Sequence, residues 1–165
     1  MSPTTDDSDQ ACFFLRDMAA TAAMAAALGA VLDPGTRVYL SGDLGAGKTE
    51  FCRWLIRSLG YNGRVKSPTF TLMEPYTLSS FTLYHFDFYR FSSEEELREA
   101  GFEELIDSDA VVLVEWPERA RPTLPVPDLW LRLVAGDEPE SRRLETLAGT
   151  ARGRACLRAM RAAAG

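Results

Sequence analysis

A glycine-rich stretch, GDLGAGKT at residues 42–49, constrains this chain more than any other feature of its sequence. It satisfies the phosphate-binding pattern GxxxxGK followed by Ser or Thr, which requires a strand before it and a helix after it. Arg37–Leu40 is predicted as that strand, and Lys48–Leu59 carries apolar residues at helical spacing. The pattern therefore predicts a strand, a glycine-rich loop over residues 42–47, and a helix.

This loop has the residue types that bind a nucleoside triphosphate. Glycines allow the backbone to wrap around a phosphate, so that amide N–H groups and the helix N-terminus face the anion. We expect the Lys48 ammonium to reach the β- and γ-phosphates and the Thr49 hydroxyl to bind Mg²⁺. The residues predicted to bind the nucleotide are Gly42, Asp43, Leu44, Gly45, Ala46, Gly47, Lys48 and Thr49.

Two carboxylates are candidates for the acid that a magnesium triphosphate site needs at the end of a neighbouring buried strand. Glu115 ends the apolar run Val111–Val114, and Asp87 lies near the end of Leu83–Phe86. Either side chain would hold Mg²⁺ directly or through water, or would polarise the attacking water. A surface carboxylate at a strand end is the alternative for both.

Residue types that the sequence lacks narrow the choice of nucleotide. Asn62 is the only asparagine and Lys66 the only lysine besides Lys48, so the NKxD motif that selects guanine in GTPases is absent. We therefore favour ATP over GTP. Gln10 is the only glutamine and lies in the N-terminal segment, so a Ras-like glutamine that orients the attacking water is not expected. A carboxylate or a hydroxyl must take that role.

The segment Ser67–Phe70, with the sequence SPTF, follows the predicted helix where many nucleotide switches sense the γ-phosphate. Thr69 supplies the hydroxyl for such a switch. The alternative is a strand start with a proline on its edge. His85 by itself indicates a histidine that is part of the core or is hydrogen-bonded there.

The composition indicates one globular domain that binds neither a membrane nor DNA. The chain has 165 residues, of which 46% are apolar, and its 24 acidic and 18 basic residues give a net charge of −6. We expect a disordered tail over residues 1–11 and a single domain over 12–165 that ends in a basic helix at 149–165. Any contact with RNA would be local or supplied by a partner. The acidic N-terminus differs from a signal peptide, which indicates a cytoplasmic protein.

The remaining predicted elements alternate between helix and strand. They are a helix over Phe13–Val31, an antiparallel hairpin of Phe70–Thr77 and Phe81–Phe88, a helix over 93–106, a buried strand at Ala110–Val114, and a late hairpin over 129–147. We predict a three-layer α/β fold of the P-loop NTPase type, with a mostly parallel central sheet plus an antiparallel hairpin. The nucleotide is expected at the carboxyl ends of the strands.

Five segments of the chain carry a family resemblance. They are Ser41–Thr49, Val65–Tyr76, Leu83–Arg90, Glu95–Phe102 and Val112–Glu118. Together they resemble the TsaE (YjeE) family, small bacterial P-loop ATPases used in making threonylcarbamoyladenosine in tRNA. Order and spacing match from about residue 37 to residue 118, and the sequences SPTF, HFDFYR and VEWPE are the specific part.

The resemblance implies Mg²⁺-dependent ATP hydrolysis and gives each candidate side chain a role. The protein would act on a complex of TsaD with TsaB and support its turnover, and any association with tRNA would be indirect. Two alternatives stay open: a small-molecule kinase that passes the γ-phosphoryl group to a hydroxyl, and a nucleotide-dependent binding switch with negligible hydrolysis. The implied roles are Lys48 on the phosphates, Thr49 and Glu115 at Mg²⁺, Asp87 close to the metal or the attacking water, Thr69 as the switch residue, and Trp116 either near the nucleotide or in the core.

Overall fold

Seven strands and five α-helices make up the part of the chain that the structure describes. The structure is a computed structural model and describes residues 9–91, 93–120 and 124–165. The strands are β1 (Gln10–Leu15), β2 (Arg37–Ser41), β3 (Met73–Thr77), β4 (Thr82–Asp87), β5 (Val111–Glu115), β6 (Leu129–Ala135) and β7 (Arg142–Ala148). The helices are α1 (Met18–Gly29), α2 (Lys48–Ser58), α3 (Glu94–Glu99), α4 (Phe102–Ile106) and α5 (Ala151–Ala164), with a short 3-10 helix at Pro117–Arg119.

One sheet contains all seven strands, in the order β1-β7-β6-β2-β5-β4-β3. The four central strands β6, β2, β5 and β4 are mutually parallel, whereas the pairs β1–β7, β7–β6 and β4–β3 are antiparallel. β5 lies between β2 and β4 and is buried along its whole length, as its apolar sequence predicts. The predicted α/β fold with a mostly parallel central sheet and an antiparallel hairpin is therefore confirmed.

Different helices cover the two faces of the sheet. Val38 and Leu40 of β2 pack into a core that also contains side chains of α1, α2 and α5, and Tyr39 between them packs into a second core. The second core is aromatic, with Phe102 of α4 edge-on to Phe86 of β4 at 4.8 Å between ring centroids. Since strand side chains alternate, the sheet forms the middle of three layers, with helices on both of its faces. One of them, α2, lies directly against one face of the central strands.

β1 replaces part of the tail and of the helix that the sequence predicts. The prediction of a disordered tail over residues 1–11 is wrong for residues 10 and 11, which belong to β1, and residues 1–8 lie outside the described residues. β1 pairs antiparallel with β7 along its whole length. This pairing buries Phe13 and Leu15, and the gain in apolar burial outweighs the local helical pattern.

Two predicted helices are shorter than their sequence patterns. The helix predicted over Phe13–Val31 begins only after Asp17, whose Oδ1 accepts a hydrogen bond from the Ala20 N–H at 2.8 Å. The helix predicted over 93–106 is divided into α3 and α4 at Gly101, whose φ of +68° is left-handed and interrupts the helical backbone. Local periodicity identified both regions but did not locate their breaks.

Asp128, just before β6, joins three separate parts of the chain. Its Oδ2 accepts a hydrogen bond from the Arg37 N–H at the start of β2, and its Oδ1 accepts one from the Thr150 hydroxyl, at 2.8 and 2.7 Å. Thr150 Oγ1 in turn accepts from the Gly153 N–H and caps α5.

No helix within the described ranges is both long and apolar enough to cross a bilayer.

We predict that Asp128→Ala lowers the free energy of unfolding by about 2–3 kcal/mol, because a half-buried N–H and a hydroxyl lose a charged acceptor. Urea denaturation followed by circular dichroism measures this change. Asp137→Asn, an exposed carboxylate in the β6–β7 turn, is the control and should stay within about 0.5 kcal/mol of the parent. An Asp128→Ala midpoint equal to that of the control would contradict the prediction.

Candidate functional site

The glycine-rich loop connects the end of β2 to the first residue of α2, as the sequence predicts. Gly42, Gly45 and Gly47 have φ values of +141°, +82° and +101°, a region that disfavours residues with a Cβ. At Gly42 a Cβ would also lie 2.4 Å from the carbonyl oxygen of Leu133 in β6. The glycines therefore allow the chain to turn tightly against β6 before α2 begins.

Strand register places both candidate acids at the level of this loop. Glu115 pairs with Leu40 on β2 and with Asp87 on β4, so the three residues form a row across the carboxyl ends of the parallel strands. Glu115 is 1% exposed and Asp87 is 5% exposed. Neither is the surface carboxylate that the sequence left open as an alternative, and both require partners because buried charges are costly.

Glu115 divides its two oxygens between α2 and β4. Its Oε1 accepts a hydrogen bond from the Thr49 hydroxyl at 2.8 Å. Its Oε2 lies 2.6 Å from Nε2 of His85, which is completely buried. The prediction that His85 is a core or hydrogen-bonded histidine is therefore confirmed, and its partner is the candidate acid itself.

The Lys48 ammonium lies inside the turn of the loop. Nζ donates hydrogen bonds to the carbonyl oxygens of Gly42 and Asp43 at 2.6 and 3.0 Å and lies 4.2 Å from the ring centroid of Trp116. Burial lowers the pKa of Lys48, and the nearby negative charge of Glu115 partly offsets that shift. A cation is thus held where the loop backbone, an aromatic face and a carboxylate converge.

Asp87 is held by the segment that the sequence predicts as a switch. Its Oδ2 accepts a hydrogen bond from the Thr69 hydroxyl at 3.3 Å, and its Oδ1 accepts one from the Tyr89 N–H at 2.9 Å. Burial raises the pKa of Asp87, and the hydrogen bond from Tyr89 opposes the shift. The contact between Ser67 and Thr69, 2.7 Å between hydroxyl oxygens, joins Thr69 to the rest of its segment.

A cavity of about 480 Å³ brings most of these side chains together. Gly42 and Asp43 line a smaller neighbouring cavity instead, of about 110 Å³, which they share with residues 44–46 of the loop. The predicted residues that line the main cavity are Leu44, Gly45, Ala46, Gly47, Lys48, Thr49, Thr69, Asp87, Glu115 and Trp116. It is also lined by residues that sequence reasoning did not assign, namely Met18, Thr21, Glu50, Tyr89, Arg90, Leu133 and Arg142.

Arg142 shows why some lining residues escape a sequence analysis. It begins β7, and its Nε donates a hydrogen bond to the carbonyl oxygen of Ala46 at 2.8 Å. Nearly a hundred residues separate the two positions, and no local pattern links an arginine in a hairpin to a glycine-rich loop. Tyr89 and Arg90 could have been predicted as site residues, because they follow Asp87 within the family-specific sequence HFDFYR.

Trp116 lines the cavity and also packs, partly buried, against the second core. It follows Glu115 with a left-handed φ of +56°, which is unusual for a large side chain. Its ring lies 5.0 Å from that of Tyr89, and the guanidinium of Arg119 is 5.9 Å from its centroid. The indole therefore forms an aromatic wall beside Lys48.

The donor set fits a phosphate group with a hard divalent cation. Thr49 Oγ1 and Glu115 Oε1 are paired oxygens of the kind that Mg²⁺ prefers. A Cβ built on Gly45 would meet no atom within 4 Å, so the loop backbone at this position is open to a ligand. The N-terminus of α2 adds the positive end of a helix dipole.

Fold and site together define a class: α/β proteins with a glycine-rich loop between a central parallel strand and a helix, facing a buried acid on the adjacent strand. The family model described as "Threonylcarbamoyl adenosine biosynthesis protein TsaE" matches residues 15–144. The chain therefore belongs to the TsaE family, and the resemblance read from its sequence is confirmed.

Individual relatives agree with the family match. The protein named tRNA threonylcarbamoyladenosine biosynthesis protein TsaE in Haemophilus influenzae is 41% identical over 113 residues, which are 68% of this chain and 70% of that protein. The protein of the same name in Rickettsia felis is 44% identical over 119 residues, which are 72% of this chain and 69% of that protein. The one in Bacillus subtilis is 39% identical over 119 residues, which are 72% of this chain and 74% of that protein. The solved structure titled "Crystal structure of Bacillus subtilus YdiB" superposes with a TM-score of 0.74 at 29% identity, covering 93% of this chain and 95% of that one.

We predict that Asp87→Asn raises the stability of the chain at neutral pH. Because burial raises the pKa of Asp87 in the folded state, ionisation costs stability at pH values above that raised pKa, and the cost vanishes once pH falls below the pKa of the unfolded chain. The asparagine avoids the charge and keeps an acceptor for Tyr89. Its advantage in urea denaturation should therefore shrink as the pH is lowered from 7.5 towards about 4.

The control for this prediction is Asp109→Asn, which neutralises an exposed carboxylate on the same chain. Its stability relative to the parent should depend little on pH in this range. A destabilised Asp87→Asn variant at pH 7.5 would contradict the prediction.

Proposed function

We propose that the chain is a Mg²⁺-dependent ATPase of tRNA threonylcarbamoyladenosine biosynthesis, which acts on the TsaB–TsaD complex and supports its turnover. Membership of the TsaE family supports the role in making this modified nucleoside. The observation that carries the activity is the convergence of Lys48, Thr49 and Glu115 at one cavity beside the glycine-rich loop. The experiment that tests it is release of ADP and phosphate from ATP, with and without the TsaB–TsaD complex.

Lys48 is the residue that would bind the phosphates. In P-loop NTPases the loop amides and this lysine surround the β- and γ-phosphates, and the helix N-terminus adds a favourable field. Among the residues that the structure describes, Nζ donates hydrogen bonds to two loop carbonyls and faces the Trp116 ring, and no carboxylate accepts a hydrogen bond from it. Its lowered pKa also indicates a poorly solvated cation that gains from an anionic ligand.

Thr49 and Glu115 are the residues that would hold Mg²⁺. Their oxygens already lie 2.8 Å apart, on the first turn of α2 and the end of β5. When bound, the ion would neutralise phosphate charge and polarise the γ-phosphoryl group. Glu115, which is buried, brings the negative charge that such an ion needs.

Asp87 is the residue that would orient the attacking water. It lines the same cavity as Glu115, and its raised pKa makes it a stronger base than an ordinary aspartate. This assignment also agrees with the sequence, because the only glutamine, Gln10, lies in β1 and does not line the cavity.

We predict that Lys48→Ala lowers the affinity for ATP by about 10- to 100-fold, the equivalent of one charge-assisted hydrogen bond, and abolishes hydrolysis. The fold should remain, because the ammonium bonds to the loop and does not belong to either apolar core. Isothermal titration calorimetry with ATP and Mg²⁺ measures the affinity, and circular dichroism checks the fold.

The control is Lys66→Ala, which removes the only other lysine of the chain from an exposed position. It should bind ATP as the parent does. A folded Lys48→Ala variant with parental affinity and rate would contradict the proposed site.

Phosphorylation of a small metabolite by the parent, without release of free phosphate, would favour the kinase alternative.

Thr69 and Phe70 provide a route from the cavity to the protein surface. The Thr69 hydroxyl reaches Asp87 inside the cavity, whereas the next side chain, Phe70, is 82% exposed. The guanidinium of Arg90, itself a lining residue, lies 4.5 Å from the Phe70 ring centroid. A rearrangement of Thr69 around a γ-phosphate would therefore move an exposed aromatic side chain, which is the kind of group that protein partners bind.

We predict that the chain binds the TsaB–TsaD complex more tightly with a non-hydrolysable ATP analogue than with ADP, and that Thr69→Ala reduces this difference. A nucleotide shifts a binding equilibrium only if it interacts differently with the two states, and Thr69 is the proposed sensor of that difference. Biolayer interferometry with the immobilised complex measures both affinities.

Thr71→Ala is the matched control, because Thr71 is exposed and bonds to Glu74 outside the cavity. It should keep the parental ratio of the two affinities. Equal affinity of the parent in both nucleotide states would contradict the switch.

A further inference from the structure

His85 is the only histidine of the chain and is 0% exposed in the middle of β4. It stands two residues before Asp87 and therefore shares its face of the sheet, the face covered by α2. Its Nε2 lies 2.6 Å from Glu115 Oε2. A completely buried imidazole thus contacts the acid that faces the glycine-rich loop.

The two oxygens of Glu115 have different partners, and together these partners fix the orientation of the carboxylate. Oε1 faces the Thr49 hydroxyl and Oε2 faces His85. Without His85, Oε2 would be a buried anionic oxygen without a donor, and the carboxylate would be free to rotate towards Lys48 or solvent. Holding Oε2 therefore keeps Oε1 directed at Thr49.

The surroundings of His85 assign its proton. Nδ1 is buried and has no hydrogen-bond partner among the residues that the structure describes. A proton on Nδ1 would be a buried N–H without an acceptor, which is the more costly of the unpaired groups. A neutral imidazole with its proton on Nε2 leaves only a lone pair unpaired and donates to the carboxylate.

Cys52, one turn after Thr49 on α2, completes this cluster without adding charge. Its Sγ, a His85 ring nitrogen and a Glu115 oxygen lie within 4.8 Å of one another. Burial raises the pKa of the Cys52 thiol well above its usual value, so the thiol stays protonated. The thiol packs beside the pair, and His85 contacts Glu115 from the strand side.

We propose that His85 is a positioning residue: its imidazole donates the Nε2 proton to Glu115 Oε2 and holds that oxygen, so that Oε1 stays aligned with Thr49 for the divalent cation. This inference rests on the proposed ATPase function for its kinetic consequence. Partners of this kind, which orient a ligand without touching the metal, change metal affinity or activity by about 10- to 100-fold when removed.

Three substitutions of His85 separate positioning from packing. His85→Leu removes the donor, and we expect kcat for ATP hydrolysis to fall about 10- to 100-fold while KM for ATP changes little, because Lys48 and the loop are untouched. His85→Gln places an amide N–H near the position of Nε2 and should restore most of the rate. His85→Asn is the matched control, because its shorter amide resembles Nδ1 and should not restore the rate.

A double-mutant cycle with Glu115→Gln tests whether His85 acts through the carboxylate. Once Glu115→Gln has lowered the rate, adding His85→Leu should cause little further loss, since the two side chains form one unit. A full additional loss would mean that His85 acts on something other than Glu115, and it would overturn the inference.

Nitrogen-15 NMR of the single imidazole tests the hydrogen bond without any enzymatic assay. Long-range proton–nitrogen correlation at pH 7.5 should show a protonated Nε2 and an unprotonated Nδ1, with the Nε2 proton strongly deshielded. Glu115→Gln should move that proton signal towards the value of a weaker hydrogen bond. A proton on Nδ1, or rapid exchange between the two tautomers, would overturn the inference.

The outcomes also separate this inference from the function on which it rests. If the parent hydrolyses ATP and His85→Leu hydrolyses it at the same rate, the inference fails and the proposed function stands. If the parent hydrolyses no ATP alone or with the TsaB–TsaD complex, the proposed function fails. If His85→Leu does not fold, the comparison of His85→Gln with His85→Asn and the NMR of the parent still test whether His85 positions Glu115.

Discussion

The Glu115 carboxylate is buried at the end of β5, and its burial determines which side chains must surround it. An anion at the end of a fully buried strand is costly unless its oxygens are paired. The chain supplies one donor from α2, Thr49, and one from β4, His85, while the Lys48 ammonium lies close by. These partners are available only because β5 lies between β2 and β4, so the central strand order is a requirement of the site as well as of the core.

The site keeps charged groups in environments that do not favour their charges. Burial lowers the pKa of Lys48 and raises that of Asp87, so the cation and the anion are both poorly solvated. A phosphate would add negative charge beside Lys48, and a divalent cation would add positive charge beside Asp87. Stability is therefore lost locally at a place where a ligand with both kinds of charge would restore it, as is common at functional sites.

Much of this arrangement could be read from the sequence because its signals are local. The glycine pattern located the loop, and apolar runs that end in carboxylates located Glu115 and Asp87. What the sequence missed depends on pairing between distant segments. β1 forms because it pairs with β7, which is more than a hundred residues away in the sequence. The hydrogen bond between Arg142 and Ala46 requires the β6–β7 hairpin to fold back over the loop. His85 was recognised as buried, but its partner follows only from the register between β4 and β5.

The pairing of β1 with β7 makes the first strand part of the support for the glycine-rich loop. Leu15, the last residue of β1, lies opposite Arg142, and Arg142 Nε holds the Ala46 carbonyl oxygen. The match to the family model begins at residue 15, so five of the six residues of β1 lie before it. A chain shortened to start at residue 15 would therefore keep every residue of the loop but lose five of the six residues of β1 that pair with β7 beside Arg142.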